Sequence, residues 1–485
     1  MPPAFTIFIL SFSLLFGANY CQIERPHVIF ILADDLGWND VSFHGSPQIP
    51  TTNIDKLASE GIILNNYYVS PLCTPSRSSL MTGKYPIHTG MQHDVIYGPQ
   101  PYGLPLQLKL LPEYFKDLGY VNRIVGKWHL GFFHTNYTPT ARGFDSHFGY
   151  FCGHQDYFDH TAQETNYDWG LDMRNGSKLM KSLFGQYSTT LFTHEAVRLI
   201  DSHNSSESLF LYLAHLAVHA GNSYAPLQAP KKYVSRFPHI KNHNRRIFAG
   251  MTAALDDSIG DTKNTLWEGG VRASGFVWSL KLEERKRVSS QLMHISDWLP
   301  TLYHAVGGDT SELPSDLDGF NMWPSLNNNS PSPRKAVLHN IDDLLNIAAL
   351  RYEDFKVVIG RTFDGKYDNW FPLPEEIEYD SNEVNFFRSH SFINLKNATV
   401  FCGPVPQNAS ENCQPQLKPC LFNIKEDPCE FHNLALDKPD VLQMLLDKLN
   451  DYNSTAVPPV NKPDDPRANP RLHGYAWVPW INTEM

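Results

Sequence analysis

The run His27-Val-Ile-Phe-Ile-Leu-Ala33 is apolar over the length of one strand, and so is Leu209-Phe-Leu-Tyr-Leu-Ala214. A strand with one face in water alternates apolar and polar side chains, whereas continuous runs belong to strands covered on both faces, as in parallel sheets. Other segments carry apolar residues at helical spacing and stop at a glycine: Ile54 to Glu60 before Gly61, Leu110 to Leu118 before Gly119, and Phe248 to Ile259 before Gly260. Glycine ends helices because it takes up left-handed backbone without a Cβ penalty. Glu195 to His203, Met293 to Ala305 and Val441 to Leu449 read as further helices. Ile62 to Val69, Tyr120 to Val125 and Ala273 to Trp278 read as strands.

Buried strands alternating with helices predict an α/β main domain, placed over residues 21–334. From about Lys335 short strands, Ala348 to Tyr352 and Phe355 to Ile359, alternate with polar loops. This pattern predicts a smaller C-terminal α+β subdomain of antiparallel strands over residues 335–455. The tail from Ala456 is rich in proline and asparagine and reads as an extended arm. Arg142 to Asp145 and the aromatic run Phe148 to Phe158 read as a long surface excursion able to wall a pocket.

Composition adds the compartment. With 485 residues, 42% of them hydrophobic, the chain can bury a large core, and a net charge of −11 without a long basic run favours neither a nucleic acid nor an anionic membrane as partner. Phe5 to Phe16 is almost wholly apolar and is followed by the small residues Gly17 and Ala18, the layout of a secretory signal peptide over residues 1–20. A membrane anchor is the alternative, but the run is shorter than the roughly 20 residues that a spanning helix needs. Sequons at Asn136, Asn175, Asn204, Asn328, Asn397, Asn408 and Asn453 agree with a secretory route, to a lysosomal or secreted destination. Of the seven cysteines, Cys402, Cys413, Cys420 and Cys429 are clustered and predict two disulfides. Four cysteines allow three pairings, and proximity favours Cys402 with Cys413 and Cys420 with Cys429.

The candidate chemistry gathers at strand ends. Asp34-Asp35 directly follows the first apolar run, where carboxylates point into the crevice in which α/β proteins bind ligands. Adjacent acids there repel unless something positive sits between them, and a divalent cation with oxygen ligands, Ca²⁺ or Mg²⁺, answers that need; a helix cap or turn pair is the structural alternative. Cys73 opens a predicted helix, where unpaired backbone N–H groups favour an anion, with Arg77 one turn on to hold negative charge. Lys127 and His129 follow the strand Tyr120 to Val125, and His215 and His219 follow the strand ending at Ala214.

The stretch Cys73-Thr-Pro-Ser-Arg77-Ser-Ser-Leu-Met-Thr82-Gly83 resembles the signature of the sulfatase family. Ala33-Asp34-Asp35-Leu-Gly-Trp, Gly126-Lys-Trp-His129-Leu-Gly, His219, Leu266-Trp-Glu-Gly-Gly-Val-Arg272 and His294-Ile-Ser-Asp-Trp-Leu-Pro300 extend the resemblance, with the arylsulfatase B group as its nearest form. The resemblance implies an alkaline-phosphatase-like α/β fold, with a large mixed sheet between helices and a small C-terminal sheet. It implies a sulfuric ester hydrolase acting on aryl sulfates or sulfated glycosaminoglycans, with Cys73 oxidised to formylglycine by a formylglycine-generating enzyme. Asp34, Asp35 and residue 73 would then ligate Ca²⁺. Arg77 and Lys127 would hold the formylglycine hydrate, Lys263 would bind sulfate, His219 would protonate the leaving alcohol and His129 would take the proton from the remaining hydroxyl. The chain departs from the family between Gly260 and Lys263, where the family carries a further strand ending in an Asp-Asn pair that completes the metal shell. Asp256, Asp257, Asp261 and Asn264 are the nearby substitutes, although Asp256 and Asp257 read as solvated helix positions. The alternative that follows from this gap is a catalytically impaired secreted glycoprotein that binds sulfated glycans.

Overall fold

The structure, a computed structural model, describes residues 25–46, 48–164, 168–258, 266–362, 365, 398–400 and 402–481. The expected signal peptide, Cys21, Asn397, Asp261, Lys263 and Asn264 lie outside the described residues. The fold is α/β, built on a six-stranded mixed sheet. Its strands are β1 (Val28–Leu32), β2 (Val121–Lys127), β3 (Ser146–Tyr150), β4 (Arg174–Asn175), β5 (Lys178–Leu179) and β6 (Leu209–Ala214), in the spatial order β1-β6-β2-β3-β4-β5. The first four in that order run parallel, and β4 and β5 turn back as an antiparallel edge.

Burial explains the sequence of β6. Leu209, Leu211 and Leu213 enter the core on one face of the sheet, while Phe210, Tyr212 and Ala214 enter the core on the other, so no position is left for a polar residue. β1 is an edge strand of the described sheet, and its Ile29 is 48% exposed.

The run placed on the surface in the sequence turns inward at its start: Ser146–Tyr150 is a strand of the central sheet, paired in parallel with β2. Its glycine marks the close approach of neighbouring backbones. A Cβ on Gly126 of β2 would lie 1.8 Å from the Ala214 carbonyl oxygen, and one on Gly149 would lie 2.0 Å from that of Gly126. Other segments split. Ile62 to Val69 forms two short strands, Ile62–Leu64 and Tyr67–Tyr68. Ala273 to Trp278 contributes only Phe276–Val277, and Met293–His294 pairs with Tyr67–Tyr68 before the helix Trp298–Ala305 begins. Helices α1 (Thr52–Glu60), α2 (Cys73–Thr82), α3 (Ser188–Asp201) and α4 (His243–Asp256) lie in the main domain, α3 starting well before Glu195.

The C-terminal sheet is antiparallel, in the order β7 (Ala336–Asp342), β8 (Ile347–Tyr352), β9 (Phe355–Ile359) and β10 (Cys420–Asn423). Helix α5 (Pro439–Ser454) seals its apolar face through Leu445 and Leu449. The disulfides are nested, Cys402 with Cys429 and Cys413 with Cys420, in place of the pairing favoured from sequence. The Cα separations are 5.6 and 5.7 Å, because the chain folds back after Cys420 and brings Cys429 to the earlier loop. The tail from Ala456 is extended but not free. The Val460 N–H donates to the Gly90 carbonyl at 3.0 Å, and Trp477 is fully buried against the main domain, its indole N–H on the Ala162 carbonyl at 3.0 Å. The six described sequon asparagines are exposed.

Candidate functional site

The parallel arrangement of β1, β6 and β2 carries the ends of three strands to one edge of the sheet. Asp34 and Asp35 leave β1, His219 follows β6, and Lys127 is itself the last residue of β2, with His129 two residues on. Helix α2 brings the fourth group. All ten of its residues are buried, and Cys73 is its first, preceded by an extended Leu72 that offers no side-chain cap.

Cys73 Sγ lies 3.5 Å from Asp34 Oδ1. Asp34 Oδ2 pairs with the Lys127 ammonium and, at 3.4 Å, with the Arg77 guanidinium. Arg77 also donates to the Lys127 carbonyl at 3.2 Å and to the Tyr212 hydroxyl at 3.3 Å, so a residue of the central strand fixes its orientation. His219 Nε2 lies 3.5 Å from Asp35 Oδ2. Ligand atoms of Asp34, Cys73 and His219 all fall within 4.8 Å of one another. Asp35 Oδ1 is buried without a protein partner, and the residue holds a left-handed backbone at φ 60°, a region aspartate enters more readily than most residues.

Two imidazoles bracket this cluster in opposite charge states. Burial alone would neutralise His219, but the Asp35 carboxylate, Cys73 and Asp34 together outweigh it and raise the imidazolium pKa to about 9. Asp35 is itself pushed up to about 6 by burial, against the pull of His219. His219 Nδ1–H donates to the Ala220 carbonyl at 2.6 Å, which leaves Nε2 toward the acid pair. His129 is buried, and its pKa falls well below the usual range through burial and through Lys127 and Arg77. Its Nε2 faces the Ile96 carbonyl at 2.9 Å, an acceptor only, so Nε2 carries the hydrogen and Nδ1 keeps a free lone pair without a partner. The arrangement thus holds one protonated and one neutral imidazole beside a residue able to present a nucleophile.

The structure brings Asp34, Asp35, Cys73, Arg77, Lys127, His129 and His219 together. Lys263 lies outside the described residues, and His215 points elsewhere, its Nε2 on the Ser258 hydroxyl at 2.6 Å in the core. Asp256 is a buried cap, not a solvated position: its carboxylate accepts the Asn53 and Ile54 N–H groups at 3.2 and 3.0 Å. Asp257 pairs with Arg236 at 3.3 Å. Sequence reading missed Thr74, whose hydroxyl donates to the His129 carbonyl at 3.2 Å and accepts the Ile96 N–H at 3.1 Å, positioning both sides of the His129 loop. It also missed His154 and Glu164, which wall a cleft of about 600 Å³ beside His219. No spacing rule announces them, because they reach the cleft from different loops.

A family model described as sulfatase matches residues 26–266. Arylsulfatase J of Mus musculus is 37% identical over 527 aligned positions, covering 96% of this chain and 82% of the relative. N-acetylgalactosamine-6-sulfatase of Homo sapiens is 29% identical over 357 positions, covering 62% of this chain and 66% of that relative. Among solved structures, the crystal structure of Ps i-CgsB superposes with a TM-score of 0.69 at 25% identity, covering 93% of this chain and 98% of that one. The arylsulfatase J alignment is longer than the 485 residues of the chain itself, so that relative carries residues without a counterpart here.

Proposed function

The chain belongs to the sulfatase family, and we propose that it hydrolyses sulfate esters of sugars or aryl alcohols through a formylglycine made from Cys73. By family it is a sulfuric ester hydrolase. The observation that carries the finer reading is the convergence of Cys73, Asp34, Lys127, Arg77 and His219 at one sheet edge. The rival reading, a glycan-binding protein without turnover, needs cations that face solvent. Arg77 and Lys127 are both 0% exposed and committed to Asp34, which favours a reaction centre.

In this reading the formylglycine supplies a hydrated aldehyde, one hydroxyl to attack sulfur and a second whose deprotonation lets sulfate depart. Arg77 and Lys127, both buried, hold that hydrate and stabilise negative charge on it. His219 Nε2 gives its proton to the leaving alcohol oxygen as the sulfur–oxygen bond breaks, and His129 Nδ1, neutral and unpartnered, takes a proton from the remaining hydroxyl. Lys263 completes the set as a sulfate-binding cation.

Asp34 and Asp35 fit the acidic part of a Ca²⁺ shell, and the orphaned Asp35 Oδ1 is the kind of atom a cation would satisfy. With residue 73 they would hold an ion that neutralises the charge of the bound ester. Calcium takes six to eight oxygens, and Asp256 and Asp257 are already engaged, so binding here is weak and exchangeable. The secretory route, the maturation enzyme that oxidises Cys73, and a lysosomal or secreted destination belong to the same proposal, supported by the exposed sequons and the two disulfides. So does the closer kinship with arylsulfatase B. Among the described residues, no helix is long and apolar enough to cross a membrane.

The test is the mass of the peptide carrying residue 73 in protein from a secretory host. An aldehyde or its hydrate is expected, and an unmodified thiol contradicts the reading.

A further inference from the structure

The two-stranded sheet beside the cleft has one covered face and one open face. Its strands, Thr161–Gln163 and Trp169–Leu171, pair antiparallel with Gln163 opposite Trp169, Ala162 opposite Gly170 and Thr161 opposite Leu171. Side chains alternate along a strand, so the middle pair faces one way and the outer pairs face the other. The middle pair is covered: Ala162 is 0% exposed, and a Cβ on Gly170 would lie 2.9 Å from both Pro470 Cβ and Trp477 Cδ1 of the tail. The opposite face carries Gln163 and Trp169. Gln163 lines the cleft of about 600 Å³ to which His219 also contributes, and Trp169 stands across the strand pair from it, 47% exposed.

A second aromatic ring adjoins Trp169. Tyr224, 50% exposed, lies 5.7 Å from it between ring centroids, with the planes tilted at 49°. In sequence it falls between Ser223 and Pro226, both of which line the cleft, and the Ser223 hydroxyl donates to Gln163 Oε1 at 2.7 Å, so the two chain segments meet at the rim. The Tyr224 hydroxyl is pinned. It donates to Asp159 Oδ2 at 2.8 Å, has Asp156 Oδ2 3.1 Å away, and accepts the Asn222 amide at 3.3 Å. The ring is thus held in place while half of it stays in water. A single exposed ring is ordinary on a protein surface, but two that adjoin at the rim of a reaction cleft, one with its polar end tied off, make a preorganised apolar platform.

We propose that Trp169 and Tyr224 form a binding subsite for the sugar next to the one that bears the scissile sulfate. A pyranose ring has apolar C–H faces and a rim of hydroxyls, which matches aromatic rings bordered by the polar side chains of Gln163 and Ser223. With the sulfated ring in the cleft beside His219, the next ring of a glycan crosses the rim where the two aromatic side chains stand. The protein thereby favours an oligosaccharide over a monosaccharide carrying the same sulfate. The inference rests on the sulfatase reading for what occupies the cleft, and on the two rings for the subsite itself.

The experiment compares wild type, Trp169→Ala and Trp169→Phe on three probes: para-nitrophenyl sulfate, a monosulfated N-acetylhexosamine methyl glycoside, and a tetrasaccharide ending in that same monosulfated residue. Matching melting temperatures establish that the variants are equally folded. Wild type is expected to show a higher kcat/KM for the tetrasaccharide than for the methyl glycoside. Trp169→Ala should lower the tetrasaccharide value about five- to tenfold, through KM, and leave the two small probes within about twofold, while Trp169→Phe, which keeps a ring, should recover most of the loss. Equal tetrasaccharide values for wild type and Trp169→Ala, or a loss shared equally by all three probes, would overturn the subsite while leaving the sulfatase reading in place. Calorimetric binding of the desulfated tetrasaccharide needs no turnover, so it tests the subsite even where hydrolysis fails. Tighter binding by wild type than by Trp169→Ala supports the proposal, and equal binding, or none to wild type, overturns it.

Discussion

Two buried charge clusters use similar residues under opposite rules. At the sheet edge, Asp34 and Asp35 meet Arg77, Lys127 and His219. Where the C-terminal sheet meets the main domain, Lys356 of β9 lies 3.0 Å from Glu268 and 2.8 Å from Glu430. The second cluster is closed. Glu268 Oε2 accepts the Tyr68 hydroxyl at 2.7 Å, Glu430 Oε2 accepts the Glu268 N–H at 2.8 Å, and the Tyr68 ring is flanked by Arg351. Both Glu268 oxygens are hydrogen-bonded, Glu430 Oε1 faces the Lys356 ammonium as an ion pair, and Lys356 is 0% exposed. The first cluster leaves Asp35 Oδ1, His129 Nδ1 and Arg77 Nε without hydrogen-bond partners. A closed network fixes one domain against another, whereas an open one keeps free the atoms that a reaction must use.

Removing a member should therefore cost activity in one cluster and stability in the other. The largest effect is expected from His219→Ala, which takes away the proton donor: turnover of a sulfated sugar should drop about 10²–10⁴-fold, less for an aryl sulfate whose alcohol leaves unaided, with little change in melting temperature. A matched loss of stability would place His219 with the structural group. Lys356→Met is the converse. It strands two buried carboxylates and should cost about 3–5 kcal/mol of unfolding free energy in denaturant titration, while kcat of the surviving folded fraction stays near wild type. Equal losses of stability for Lys127→Met and Lys356→Met would erase the distinction.

The closed cluster also carries a pH signature. Burial raises the Glu430 pKa from 4.5 to about 7, so between those values the folded state holds a proton that the unfolded state has released. Stability from this group is fully present below about pH 4.5 and is lost as the pH rises through about 7. Glu268 runs the other way, since Lys356, Arg272 and Arg351 outweigh its burial and hold its pKa low. Glu430→Gln should flatten the decline in melting temperature between acid and neutral pH, and an unchanged slope would remove Glu430 as its source. The smallest effect is expected from calcium. With a dissociation constant on the order of 10⁻⁴–10⁻³ M, tenfold excess ion stabilises by only about 1.4 kcal/mol, and Asp35→Asn should abolish that thermal shift.

The same contrast governs what the sequence reveals. β6 was legible because uninterrupted burial leaves an uninterrupted apolar run, β1 showed the same run although its Ile29 is 48% exposed, and the open cluster was legible because each member stands at a strand end beside a distinctive motif. β3 was not, since Ser146-His-Phe-Gly-Tyr reads as a loop until Gly149 is seen packing on Gly126. Glu268, Lys356 and Glu430 come from three distant segments with no periodicity to link them. The disulfides were misjudged for a related reason: nearness along the chain is not nearness in space, and the return of the chain after β10 pairs the outer two cysteines. Asp256 was misplaced because nothing local signals that a helix end will cap another helix.

The most direct test of the central claim is release of inorganic sulfate from a chromogenic aryl sulfate by protein from a secretory host, with millimolar Ca²⁺, beside a Cys73→Ala control of equal folding. Sustained release by wild type and none above background by Cys73→Ala is the predicted result. Equal rates in the two proteins, or no release by wild type, would contradict it.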